Sequence, residues 1–88
     1  MSKRKRGYHL SEIPRGTVGE FSKIEEEIAE ARDAVRQNCR VMILMELSDA
    51  IGAMDAYLRN HFAGAVTIDD LLRMAVATGR AFDAGERQ

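Results

Sequence analysis

Five carboxylates fall in a pattern that could hold a cation. Glu26, Glu27 and Glu30 lie in one stretch of the chain, and Glu46 and Asp49 in a second. Glu27 and Glu30 are three residues apart, as are Glu46 and Asp49, and positions three apart share one face of a helix. Between the stretches, Gln37-Asn38-Cys39-Arg40 reads as a turn, and the pairs Glu27/Asp49 and Glu30/Glu46 are both centred on residue 38. An antiparallel helix hairpin about that turn sets Glu30 opposite Glu46 and Glu27 opposite Asp49. Four carboxylates then converge about 12 Å from the turn, from roughly eight residues at ~1.5 Å rise. Like charges so close cannot all ionise without a cation. Hard oxygen ligands, with no His or Cys nearby in the sequence, favour Mg²⁺ or Mn²⁺ over zinc. Glu27 and Glu30 could equally be solvated surface acids. Glu46 and Asp49 resist that reading, because they interrupt an otherwise apolar helix where a charge is costly unless paired or metal-bound.

Three helices must position these groups. Thr17-Val18-Gly19-Glu20 has the form of a capping box, which starts the first helix near residue 18. Its apolar stripe is Phe21, Ile24, Ile28, Ala31 and Val35. Lys23, Glu27, Glu30 and Ala34 share an adjacent face, with Glu26 and Asp33 at its edge. Lys23 thus stands one turn beyond the acids, either reaching a phosphate or pairing with Glu27 at i,i+4. The second helix runs from about Arg40 to Phe62. Ile43, Leu44, Leu47, Ile51, Met54 and Leu58 give it a broad core face. Met42, Glu46, Asp49, Ala50, Ala53 and Tyr57 make a neighbouring face, whose small residues leave room for a ligand. Tyr57 is either a pocket wall or the edge of the core. Gly64 suits the stop. A third helix begins at Thr67-Ile68-Asp69-Asp70, and its Arg80 could pair with phosphate or lie on the surface.

At 88 residues the chain is one small domain, of a size that buries roughly 60–65% of its unfolded surface. Its 13 basic and 14 acidic residues leave a net charge of −1, which singles out no partner class. One cysteine allows no internal disulfide and fits a reducing cytoplasm. No apolar run spans a bilayer, and no apolar signal region follows the basic start. Residues 1–16 read as a flexible basic arm before a helical domain at 17–88. The run Lys3-Arg4-Lys5-Arg6 solubilises the chain or attracts a polyanion; without interleaved aromatics it makes a poor nucleic-acid site. Tyr8 and His9 could fold over a bound nucleotide, or pack on the helix ends.

The pattern Glu-Glu-x-x-Glu followed by Glu-x-x-Asp, here Glu26, Glu27, Glu30, Glu46 and Asp49, resembles the MazG-like all-α nucleoside triphosphate pyrophosphohydrolases, especially short, phage-type members. The resemblance covers roughly residues 8–85 and includes Gly19-Glu20-Phe21-Ser22-Lys23-Ile24 before the acids. It implies Mg²⁺-dependent hydrolysis of a nucleoside triphosphate to monophosphate and pyrophosphate. Glu27, Glu30, Glu46 and Asp49 would be the metal ligands. Glu26, or Glu30, would orient or deprotonate the attacking water, and Lys23 and Arg80, with Tyr8, His9 and Tyr57, would contact substrate. It also implies a homodimer or homotetramer. That agrees with a second helix too apolar for three short helices to cover, so the all-α domain completes a bundle by oligomerisation. The alternative is a non-catalytic helical binding module, for example a phage protein gripping a host factor through its acids. A di-iron bundle is disfavoured, because neither His9 nor His61 follows a glutamate by three residues.

Overall fold

The computed structural model describes residues 9–83 and 85; the basic run at 3–6 and Tyr8 lie outside the described residues. The chain is all-α, with α1 (Phe21–Arg36), α2 (Arg40–Phe62) and α3 (Ile68–Asp83) and no strand among the described residues.

The α1–α2 connection is set by Asn38, which takes a left-handed backbone (φ 56°). Asparagine tolerates this region better than most residues, because its short amide can bond locally. The Asn38 N–H returns to the Val35 carbonyl at 2.9 Å and the Cys39 N–H to the Ala34 carbonyl at 3.3 Å. These bonds satisfy carbonyls that the helix end leaves open. At the far end, Asn60 Nδ2 donates to the Gly19 carbonyl (3.0 Å) and His61 Nε2 meets Glu20 Oε1 (3.1 Å). Contacts at both ends make α1 and α2 an antiparallel hairpin along the length of α1.

The start of α1 differs from the capping-box expectation. Helix begins at Phe21, and Glu20 at its N-cap makes no side-chain cap bond. Gly19 has φ 90°, which a right-handed helix cannot contain. Thr17–Glu20 is instead a turn in which the Glu20 N–H bonds the Thr17 carbonyl at 2.9 Å. A capping box occurs instead two helices later, at the start of α3. Asp70 N–H donates to Thr67 Oγ1 (3.3 Å), and Asp70 Oδ2 accepts from the Thr67 N–H (2.9 Å) at the start of α3. Two left-handed residues, Ala63 and Gly64, end α2.

The face of α2 that packs on α1 is not the one its hydrophobicity suggests. Ala50, Ala53, Leu58 and Glu46 are buried, whereas Leu44 and Ile51 are 68% and 47% exposed and Leu47 is also open to solvent. Small side chains at 50 and 53 let the helices approach, so the acid-bearing face turns inward and the bulky apolar face is left uncovered. On α1, Ile24, Ala31 and Ala34 are buried, while Phe21, Ile28 and Val35 are exposed. Among the described helices, the third packs on α2 and not on α1. No helix among the described residues is long and apolar enough to cross a membrane.

Residues 9–16 run back along α1. His9 and Ile13 are buried, and the Gly16 N–H donates to Glu26 Oε1 at 2.8 Å. A side chain at Gly16 would overlap the Ser22 carbonyl, so only glycine allows this approach.

Candidate metal centre

The hairpin gathers the acids of both helices at its inner face. Three overlapping groups, Glu26/Glu27/Glu30, Glu27/Glu46/Asp49 and His9/Glu30/Glu46, each offer ligand atoms within 4.8 Å of one another. Glu46 is 1% exposed and Glu27 6%, whereas Asp49 opens to solvent. Glu30 and Glu46, the pair expected from symmetry about residue 38, bring carboxyl oxygens within 4.8 Å of each other.

Burial, the hydrogen-bonding proximity of Glu46 and the charges of Glu27, Glu46 and Glu26 push the Glu30 carboxyl up to about 8. A proton on Glu30 therefore holds the cluster together when no cation is present. Glu27 Oε2 pairs with Lys23 Nζ at 3.1 Å. Its Oε1 is buried and accepts no hydrogen bond among the described residues, an arrangement that costs free energy unless another donor or a cation arrives. An oxygen-rich, partly unsatisfied pocket of this kind fits a hard divalent ion.

Glu26 borders the cluster and stays ionised. Burial raises its pKa, but the Gly16 N–H and Lys23 outweigh that and hold it below the usual carboxylate range. Burial pulls Lys23 down, yet its bonds to Glu27 and Glu26 and their charges leave it above the ordinary ammonium value. Of the two roles open to Lys23, the ion pair with Glu27 is present, and a second contact reaches Glu26 Oε1 at 3.2 Å.

His9 packs against α1, with Nδ1 2.9 Å from Asp33 Oδ2. Asp33 is fully buried. Burial raises its pKa, but His9, the Leu10 N–H and Gln37 outweigh that and keep it an anion. Neither the burial of Asp33 nor a histidine at the cluster was foreseen from sequence. The contact joins residues 24 apart, and no local spacing signals it.

The remaining candidates lie elsewhere. Tyr57 belongs to an aromatic group where α1 starts and α2 ends, with ring centroids 5.7 Å from Phe21 and 4.5 Å from His61. Arg80 is exposed on α3 and makes no ion pair among the described residues. Tyr8 is outside the described residues.

No protein-family model, curated protein or solved structure matches this chain.

Proposed function

We propose that the chain is a divalent-metal-dependent nucleoside triphosphate pyrophosphohydrolase, releasing monophosphate and pyrophosphate. The observation that carries this reading is the convergence of Glu27, Glu30, Glu46 and Asp49 between α1 and α2, with a buried Glu27 oxygen lacking a hydrogen-bond partner among the described residues. The reaction itself comes from the resemblance of the Glu26/Glu27/Glu30 and Glu46/Asp49 pattern to MazG-like enzymes.

In this reading the four acids hold Mg²⁺ or Mn²⁺. Such an ion, when bound, offsets polyphosphate charge and lowers the pKa of a coordinated water. Glu26, held as an anion by the Gly16 N–H and Lys23, accepts a hydrogen bond from the attacking water and orients it. Glu30 gives up its proton when the cation enters and is the second candidate to take one from water. Lys23 exchanges a carboxylate for a phosphate oxygen. Asp49, at the open edge, lies on the path by which a triphosphate approaches. The uncovered apolar side of α2 becomes a self-association surface, as in a dimer or tetramer acting in the cytoplasm.

The same exposed apolar residues, Leu44, Leu47 and Ile51, favour a second reading, a helical module that binds another protein. Pyrophosphate release from a panel of ribo- and deoxynucleoside triphosphates with Mg²⁺ separates the two. The enzyme reading expects equal monophosphate and pyrophosphate, and a loss of orders of magnitude in Asp49→Asn, which removes a ligand while keeping shape. Release of diphosphate and orthophosphate contradicts the proposed chemistry. No cleavage in wild type transfers the assignment to the binding module.

A further inference from the structure

Two exposed apolar strips on this chain carry opposite charges. The first is a groove between α1 and α2, lined by Ile28, Ala31, Val35, Ile43 and Leu47 with Arg32 at its rim. Ile28, Val35 and Leu47 are exposed. Arg32 and Arg36 stand one turn apart and make no ion pair among the described residues. The second strip is on α3. Asp69, Leu72, Val76 and Asp83 recur at spacings that place them along one side of a helix. All four are exposed, and neither aspartate has an ion pair among the described residues. Within the chain α3 meets α2 and not α1. A helix of 16 residues is marginal in water by itself and draws most of its stability from packing an amphipathic face. Leu72 and Val76 leave that packing incomplete within one copy.

Building on the self-association proposed above, we propose that α3 of one copy seats in the α1–α2 groove of a second copy. Each strip finds its complement in apolar side chains and in charge on the same sequence, which favours a second copy over an unrelated partner. Leu72 and Val76 enter the groove. The charges set the register: Asp83 follows Val76 by seven residues, about 10 Å of helix, and Val35 and Arg36 follow Ile28 by seven and eight. With Val76 over Ile28 and α3 running parallel to α1, Asp83 reaches Arg36. Apolar burial supplies the affinity, while an exposed ion pair, worth little by itself, selects orientation. The seat is reciprocal, so a two-fold dimer contains two of them. It leaves the acids open, because Glu30 lies roughly 200° round α1 from Ile28.

Cross-linking tests the seat. In a Cys39→Ser background, chains bearing Ile28→Cys are coexpressed with differently tagged chains bearing Val76→Cys. Both positions are exposed, so neither substitution opens the core. A disulfide should join the two kinds of chain. Arg36→Glu should weaken dimerisation severalfold, and Asp83→Arg should restore it. Wild type adds a reading that needs no variant: dilution from dimer to monomer should speed amide hydrogen exchange in α3. An oligomer whose two kinds of chain do not cross-link, or whose α3 exchanges as fast as in the monomer, overturns this docking and leaves self-association through another surface standing. A disulfide formed only within a single chain bearing both cysteines overturns it as well. A wild type that stays monomeric up to millimolar concentration removes self-association and, with it, this seat.

Discussion

Cation binding should be coupled to the proton on Glu30. In the cation-free protein this carboxyl titrates at about 8, and a metal ligand must be deprotonated. Between pH 6 and pH 8 the proton competes with the cation, so apparent Mg²⁺ affinity should rise by about fiftyfold for one displaced proton. Titration calorimetry in buffers of differing ionisation enthalpy reads the release directly: close to one proton per ion near pH 6.5, falling toward none above pH 9. The sign for stability follows from the same shift. The folded pKa lies above the ordinary value of 4.5. The stabilising contribution of protonated Glu30 is therefore complete below about 4.5 and is lost as pH rises through about 8. The melting temperature of cation-free protein should fall across that window, and Mg²⁺ should oppose the fall. Glu30→Gln, a neutral isostere, should abolish proton release and flatten the pH dependence while weakening Mg²⁺. Flat affinity from pH 6 to 8 with no proton release would refute the idea that Glu30 shares the cation's place with a proton.

Two further substitutions test the framework around the cluster. Gly16→Ala drives a methyl into the Ser22 carbonyl and should cost about 1–3 kcal/mol in chemical denaturation, together with the Gly16–Glu26 bond; an unchanged midpoint contradicts the close approach. Leu44→Lys, at a residue 68% exposed, should leave the helical circular dichroism intact but convert a wild-type oligomer into a monomer by light scattering. A folded wild-type monomer at micromolar concentration contradicts the proposed self-association.

The hairpin was legible in the sequence because the acids at 27, 30, 46 and 49 are symmetric about Asn38, a residue suited to the left-handed turn that it makes. The bounds of α2 and the start of α3 were legible for the same reason: local chemistry decides them. The inward face of α2 was not. Hydrophobicity ranks Leu44, Leu47 and Ile51 as core, but helix approach is governed by size, and Ala50 and Ala53 are what fit against α1. The start of α1 was misread because a Thr-x-x-Glu spacing ignores Gly19, whose positive φ breaks the helix there. The His9–Asp33 contact was invisible because it closes a loop of 24 residues with no periodic signal.

The account rests on a cation held by buried carboxylates between α1 and α2, and thermal unfolding with and without Mg²⁺ tests that most directly. Saturation at about one hundred times the dissociation constant stabilises the native state by about 2.7 kcal/mol. In a domain of this size that raises the melting temperature by roughly 10–20 °C. Glu46→Gln, at a residue 1% exposed between the helices, should abolish the shift. A wild-type melting curve unchanged across millimolar Mg²⁺ and Mn²⁺ would contradict the site.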